Sequence, residues 1–219
     1  MKFKYLIILV LSAFLLPAKA QTGFPFDKDV RHFKRLDSLN SPKPGGILFI
    51  GSSSITLWDD LEERFKDKPI IKRGLGGSQL THWVQYYMPY VVYPYQPKKI
   101  FIYAGENDLG MGRTPQQVAD DFKKFWEMVN AKLPNTKIYY LTMKPSPLRH
   151  KLINDVNLGN SLIKAFIDTK PNTKYIDVAS ILLKKETMFP DSSLFKPDYL
   201  HLNSKGYDRW QKVLKKHVK

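Results

Sequence analysis

The stretch Ile-Leu-Phe-Ile-Gly-Ser-Ser-Ser-Ile-Thr, residues 47–56, passes from a short apolar run into a turn of small residues. Four consecutive large apolar residues are typical of a strand that is buried on both faces. A serine at the turn from such a strand into a helix can present its oxygen near the helix N-terminus, which stabilises developing negative charge. Serines are also common turn residues, so the stretch alone leaves both interpretations open.

Similar apolar runs recur four more times along the chain, separated by longer segments with helical spacing. The further runs are 70–71, 100–103, 138–141 and 175–178. Alternating strands and helices predict a parallel sheet that is covered by helices on both sides. We therefore expect an α/β fold with five parallel strands, whose carboxyl ends form a ligand crevice at one edge of the sheet.

Apolar residues at helical spacing predict three of the helices. The first is introduced by Thr114 and Pro115, a typical N-cap followed by proline at the first helical position. The third begins after Asn203 or Ser204, either of which can cap it. The three expected apolar faces consist of Val118, Phe122, Phe125, Trp126 and Val129; of Leu158, Leu162, Ala165 and Phe166; and of Tyr207, Trp210 and Leu214.

The first twenty residues have the pattern of a secretory signal peptide. Lys2 and Lys4 precede an apolar run at 5–16, and Ala-Lys-Ala at 18–20 supplies the small-x-small cleavage site. The run is shorter than the roughly 20 apolar residues that span a bilayer. We expect cleavage after residue 20, a periplasmic or extracellular location and no transmembrane segment in the mature chain. An uncleaved N-terminal anchor is the alternative.

The composition is that of an ordinary globular domain, with 43% hydrophobic and 25% charged residues in a chain of 219. The absence of cysteine excludes disulfides, thiolate nucleophiles and Cys-ligated metal sites. The formal charge of +15 falls to +12 if the signal peptide is removed. Such a charge attracts anions in general. Because the lysines are scattered and no nucleic-acid motif accompanies them, we expect no nucleic-acid partner.

Three further loops carry candidate chemistry, although each has an ordinary structural explanation when it is taken alone. The Gly-rich segment 73–78 lets backbone approach a ligand, but it is not a complete nucleotide fingerprint. Asn107 can offer its amide to an oxyanion, while the neighbouring acidic residues are expected to support the loop. Asp198 and His201, spaced i and i+3 on one helical turn, would let the carboxylate hold the imidazole for a nucleophile. Together with the serine turn, these loops predict an acyl-transfer site.

These four blocks resemble those of the SGNH hydrolases, also called GDSL esterases/lipases. The resemblance runs from about residue 46 to the final helix, and it is greatest to the branch of platelet-activating-factor acetylhydrolase-like esterases. It implies a flavodoxin-like three-layer α/β/α sandwich with strand order 2-1-3-4-5. The hydrolase domain would occupy 45–219, with a lead-in helix or extension at 21–44.

The resemblance also implies the site residues. It makes Ser53 the nucleophile, with His201 and Asp198 completing a catalytic triad. The oxyanion hole would consist of Ser53, Gly77 and Asn107, and no metal or organic cofactor is required. The family usually has aspartate before the nucleophile, whereas Ser52 stands at that position here. The departure leaves Ser52 and Ser54 as alternative nucleophiles.

The sequence therefore predicts a secreted serine esterase whose partner is a small-molecule or glycan-linked ester. We expect short-chain acyl or O-acetyl esters, because no long apolar insertion is available to form a lid or an acyl tunnel. A lysophospholipase or a thioesterase is compatible with the same site. A non-catalytic carbohydrate or cell-surface binding module is the alternative from another class. Its sugar-stacking residues, which could equally be packing residues, would be Tyr86, Tyr87, Tyr90, Tyr93 and Tyr95.

Overall fold

The computed structural model describes residues 23–219, so the predicted signal peptide at 1–20 lies outside the described residues. Five strands form one parallel sheet: β1 (Ile47–Gly51), β2 (Ile70–Gly74), β3 (Lys99–Tyr103), β4 (Lys137–Leu141) and β5 (Thr173–Ile176). Their order is β2-β1-β3-β4-β5, and every neighbouring pair is parallel. The predicted α/β fold and its strand order are therefore confirmed.

Helices connect and cover the strands. The α-helices are α1 (Asp27–Leu39), α2 (Ser53–Thr56), α3 (Leu61–Arg64), α4 (Leu80–His82), α5 (Glu106–Gly110), α6 (Pro115–Lys132), α7 (Ile153–Ile167) and α8 (Ser204–Leu214). A π-helix spans Trp83–Val92, and short 3₁₀ helices span Tyr93–Tyr95, His150–Leu152, Ser180–Leu182 and Ser192–Leu194. Within 23–219, none of these helices is both long and apolar enough to cross a bilayer.

The side chains of the sheet divide the core into two layers. Leu48 and Ile50 of β1 belong to one buried cluster, whereas Ile47 and Phe49 belong to the other. This division follows from the alternation of side chains along a strand. The first cluster includes residues of α1, the π-helix, α6 and α7, and the second includes residues of α2, α3 and α8. The result is the three-layer arrangement that the sequence predicts.

Two of the predicted helix starts agree with the structure, but the predicted face of α7 is only half right. Leu162 and Phe166 pack against the core, whereas Leu158 and Ala165 are exposed. Leu158 is 53% exposed, whereas Val156, Gly159 and Asn160 are buried. Asn160 accepts a hydrogen bond from the Met143 backbone N–H at 3.0 Å and donates to the Met143 carbonyl at 2.8 Å. A count of apolar residues misses this face because a glycine and a hydrogen-bonded asparagine form part of it.

The last strand begins and ends two residues earlier than the predicted run at 175–178. Val178 is buried, but its backbone N–H donates to the Thr142 hydroxyl at 3.0 Å instead of joining the sheet. The Asp177 carboxylate accepts from the backbone N–H groups of Ala179 and Ser180 at 3.0 and 2.9 Å. These side chains end the ladder before the apolar run ends.

The tyrosine-rich segment spans the π-helix and the 3₁₀ helix after it, and its π-helical part packs against the N-terminal part of the described chain. Pro89 predicts an interruption because it lacks a backbone N–H, yet the helix continues through it. Tyr87 is buried, and Tyr90 stacks on Phe24 with ring centroids 5.3 Å apart. The segment therefore packs as part of the core, and of its five tyrosines only Tyr90 has more than a third of its surface exposed.

Glycines at two strand ends bring the loops of the crevice together. Gly51 has a φ of 133°, and a Cβ there would lie 1.9 Å from the Tyr103 carbonyl oxygen. That carbonyl accepts a hydrogen bond from the Ser52 backbone N–H at 2.9 Å. A Cβ on Gly74 would lie 2.5 Å from the Thr56 nitrogen. Because side chains are absent at these two positions, backbone contacts backbone and the loops are held at fixed separations.

Candidate active site

The carboxyl ends of three adjacent strands and the loop before α8 surround a cavity of about 370 Å³. Ser53 follows β1, Gly77 follows β2 and Asn107 follows β3, while His201 reaches the cavity from the loop before α8. Asp198 lies behind His201 in the same loop. The structure therefore brings together all five residues that the sequence singles out.

The imidazole of His201 lies between a hydroxyl and a carboxylate. Its Nε2 is 3.0 Å from Ser53 Oγ, and its Nδ1 is 2.7 Å from Asp198 Oδ2. Hydrogen bonding to the carboxylate at Nδ1 leaves Nε2 able to accept a proton from the hydroxyl. Ser52 and Ser54 are 4% and 2% exposed, respectively, and only Ser53 of the three serines lines the cavity.

The loop 198–201 differs from the helical turn that the i, i+3 spacing predicts. Asp198 Oδ1 accepts hydrogen bonds from the backbone N–H groups of Leu200 and His201, both at 2.9 Å. Tyr199 adopts a left-handed conformation with a φ of 55°. A tight turn closed by the Asp198 side chain, and not a helix, therefore brings Asp198 and His201 together.

These contacts also determine the charge of Asp198. Partial burial by itself would raise the pKa of the carboxyl group. The backbone N–H of His201, its imidazole and the backbone N–H of Leu200 donate to the carboxylate and outweigh that effect, so the pKa falls to about 2. Asp198 is consequently ionised at every pH at which a neutral imidazole could act as a base.

Gly77 and Asn107 line the same cavity as Ser53. Gly77 has a φ of 83°, and no heavy atom lies within 4 Å of the position that its Cβ would take. Asn107 Oδ1 accepts from Arg149 Nη1 at 3.0 Å, and Asn107 Nδ2 donates to the Ser78 carbonyl at 3.1 Å. These two contacts fix the orientation of the amide. Since Nδ2 carries two hydrogens, the second remains for a ligand in the cavity.

A buried carboxylate connects the loop of Gly77 to the loop of Asn107. Asp108 is 0% exposed, and it accepts hydrogen bonds from the backbone N–H groups of Leu80 and Thr81 at the start of α4. Burial raises the pKa of Asp108, while the backbone hydrogen bonds oppose that rise. The contact joins α4, which follows the Gly77 loop, to α5, which carries Asn107.

Behind the cavity lies a buried ion pair that the sequence reasoning missed. Lys144 is 1% exposed; its Nζ lies 2.9 Å from Glu106 Oε2 and donates to the Leu200 carbonyl at 3.0 Å. The Tyr103 hydroxyl donates to the same carboxylate. Burial, followed by the nearby Glu106 charge, raises the pKa of Tyr103 well above its usual value. Lys144 thereby links the loop after β3 to the loop before α8.

Residues 51–209 match the sequence model of the GDSL-like Lipase/Acylhydrolase family. The chain belongs to this family. GDSL-like acylhydrolases act on ester bonds, so the resemblance and the enzyme class predicted from the sequence are confirmed.

Relatives of this GDSL-like acylhydrolase match most of its length. Platelet-activating factor acetylhydrolase IB subunit alpha2 of Gallus gallus is 26% identical over 196 residues, 86% of this chain and 82% of the relative. A solved structure from Streptococcus pneumonia has a TM-score of 0.75 at 21% identity, covering 88% of this chain and 92% of its own. A GDSL-like lipase from Bacteroides thetaiotaomicron has a TM-score of 0.69 at 18% identity, over 86% and 98% of the two chains. At these identities the structural likenesses support the fold alone.

The GDSL-like acylhydrolase has two site residues that the sequence reasoning did not name. Lys144 and Arg149 both follow β4, at the same edge of the sheet as the other loops. Their position after a buried strand is the signal that could have identified them. Among residues 23–219, no group of three or more His, Asp or Glu side chains is arranged to hold a metal ion.

Proposed function

We propose that this GDSL-like acylhydrolase is a serine esterase whose nucleophile is Ser53. The observation that carries the proposal is the position of the His201 imidazole, 3.0 Å from the Ser53 hydroxyl and 2.7 Å from the Asp198 carboxylate. A nucleophile, a base and a group that orients the base, each within hydrogen-bond reach of the next, are what acyl transfer by a serine requires.

In the proposed reaction, Ser53 Oγ attacks the ester carbonyl carbon while His201 Nε2 takes the hydroxyl proton. The carbonyl oxygen becomes an oxyanion, and when the intermediate collapses the bond to the alcohol breaks. His201 gives its proton to the leaving alcohol. A water molecule then loses a proton to His201 and attacks the acyl-serine. His201 returns this proton to Ser53 Oγ as the bond to the acyl carbon breaks, which releases the acid and restores the hydroxyl. Asp198 remains ionised throughout and stabilises the imidazolium.

Three N–H donors are proposed to bind the oxyanion. They are the backbone N–H groups of Ser53 and Gly77 and the Nδ2 group of Asn107. Ser53 is the first residue of α2, a position where a backbone N–H has no acceptor within its helix. Fixed donors of this kind stabilise a developing negative charge without reorganising during the reaction.

The cavity must hold the alcohol as well as the acyl group, which favours a short acyl group. A volume of about 370 Å³ is near the lower end for small-molecule sites. The chicken relative is by name an acetylhydrolase, which is consistent with an acetyl or similarly short acyl group. We also propose that the protein is exported, on the sequence pattern of residues 1–20.

The pKa of Asp198 leads to a prediction about pH. Since the folded pKa is about 2 and the ordinary value is 3.8, the stabilisation from this carboxylate is complete above about pH 4 and is lost as the pH falls through 2. Profiles of kcat/KM and of unfolding free energy between pH 2 and 8 would measure this. Because Asp198 is ionised above pH 4, it cannot cause a fall in activity at a higher pH. Any such fall is expected to persist in Asp198→Asn, at a much lower kcat. If the fall disappeared in that variant, Asp198 would be the titrating group and its low pKa would be contradicted.

A series of p-nitrophenyl esters from acetate to palmitate tests the proposed function. The protein lacking residues 1–20 is assayed without added metal, and turnover is expected to be greatest for acetate or butyrate. Greatest turnover on long chains would instead favour a lysophospholipase or thioesterase. No turnover on any ester, from protein shown to be folded by circular dichroism, would contradict the esterase.

A further inference from the structure

Arg149 forms part of the cavity wall and orients the Asn107 amide, but the proposed reaction gives it no contact with the substrate. It lies in the loop between β4 and α7, and its side chain is 26% exposed. The guanidinium packs over Gly110, where a Cβ would lie 3.2 Å from Arg149 Cζ. The group is therefore held against α5 at the edge of the cavity.

The contacts of the guanidinium are all made by one nitrogen. Arg149 Nη1 donates to Asn107 Oδ1 at 3.0 Å, to Glu106 Oε1 at 3.3 Å and to the Glu106 carbonyl at 3.4 Å. Among residues 23–219, neither Nε nor Nη2 of Arg149 has a hydrogen-bond acceptor. These two nitrogens form the edge of the guanidinium that binds carboxylate and phosphate groups with two parallel hydrogen bonds.

The charge around Arg149 is also incompletely balanced. Glu106 is the acidic residue of 23–219 that lies within ion-pair distance of it, and the same carboxylate is paired with Lys144 at 2.9 Å. Two cations therefore share one carboxylate. A positive charge beside a partly enclosed cavity favours an anionic ligand, because less water screens it there than at an open surface.

We propose that Arg149 binds an anionic group on the alcohol portion of the substrate, so that the preferred substrates are short-chain acyl esters of acidic alcohols. The inference rests on the proposed function for the position of the ester at Ser53. An acetyl group carries no anionic substituent, so for acetyl esters the anion must belong to the alcohol. The anion is a carboxylate or a phosphate, since the free edge of the guanidinium fits both.

Three acetyl esters test this inference: methyl 4-acetoxybenzoate is neutral, 4-acetoxybenzoate carries a carboxylate and 4-acetoxyphenyl phosphate carries a phosphate. Binding to Ser53→Ala and to Ser53→Ala/Arg149→Met is measured by calorimetry, and turnover is measured with the wild-type and Arg149→Met proteins. Loss of Arg149 is expected to weaken binding and lower kcat/KM for an anionic ester by about 10- to 100-fold relative to the neutral ester. Taking the ratio removes any effect on Asn107 that all three esters share.

Two control variants separate this role from the general positive charge. Lys151→Met removes a neighbouring exposed charge and is expected to leave the ratio unchanged. Arg149→Lys keeps the charge without the planar fork and is expected to recover part of the preference. An equal loss for neutral and anionic esters in Arg149→Met, or no anionic preference in binding to Ser53→Ala, would overturn the inference. Absence of turnover with the binding preference intact would contradict the esterase and leave the anion site supported.

Discussion

Replacing Ser53 with alanine is expected to lower kcat for p-nitrophenyl acetate by about 10⁵- to 10⁶-fold, the loss that follows removal of the nucleophile in a serine triad. The hydroxyl oxygen that His201 contacts at 3.0 Å is the atom proposed to attack the ester. No neighbouring hydroxyl can take its place without moving the turn after β1, because Gly51 and Ser52 are held against the Tyr103 backbone. The fold and the substrate cavity should be preserved, so KM is expected to change little.

Ser52→Ala and Ser54→Ala are the matched controls. Both remove the same hydroxyl group from an adjacent position, and both side chains are buried away from the imidazole. Each variant is expected to retain most of the wild-type kcat. If Ser52→Ala lost as much activity as Ser53→Ala, the choice of Ser53 as the nucleophile would be contradicted. Mass spectrometry of the protein after reaction with a fluorophosphonate would locate the modified serine independently.

Replacing Lys144 with methionine is expected to lower the free energy of unfolding by about 3–5 kcal/mol, because it leaves the Glu106 carboxylate buried without its main partner. Lys144 is 1% exposed and Glu106 is 4% exposed, so water cannot replace the lost contact. The Leu200 carbonyl also loses its donor, and the loop that carries His201 is expected to loosen. A lower kcat should therefore accompany the lower stability. Urea denaturation monitored by tryptophan fluorescence would measure the change in stability.

The double variant Lys144→Met/Glu106→Gln is the informative control for this prediction. With the carboxylate replaced by a neutral amide, no buried charge is left without a partner. The double variant is expected to be more stable than Lys144→Met and to remain impaired in kcat, since the Leu200 carbonyl still lacks the lysine. If Lys144→Met lowers the free energy of unfolding by less than about 1 kcal/mol, the ion pair contributes no more than an exposed pair does, and the prediction is wrong.

The sheet could be predicted from the sequence because its signals are local and mutually consistent. Short apolar runs, the Thr114 cap and the Asn203 cap each correspond to an element boundary in the structure. The site blocks could be placed because parallel strands bring their carboxyl ends to one edge. Proximity of the blocks follows from the fold class, whereas the choice of Ser53 came from a family resemblance.

Features that depend on contacts distant in sequence could not be predicted in the same way. Lysine is expected at the surface, so nothing in the sequence indicates that Lys144 finds Glu106, 38 residues away. The apolar spacing misses part of the buried face of α7, because Asn160 is polar and obtains its partners from the Met143 backbone. The i, i+3 spacing of Asp198 and His201 predicts a helical turn, but the same spacing also suits the side-chain-to-backbone turn that is present.

The order of the strands determines which side of the substrate each loop can reach. In a parallel sheet, neighbouring strands lie about 4.8 Å apart, so the roots of the three loops are separated by about one such interval each. The strand that leads to Ser53 is the middle one, with β2 on one flank and β3 on the other. A planar ester group placed over β1 would therefore be approached by the proposed donors from the β2 and β3 sides and by the Ser53 hydroxyl from below. If β1 lay outside this pair, the loops after β2 and β3 would reach the ester from the same side of Ser53 and not from opposite sides.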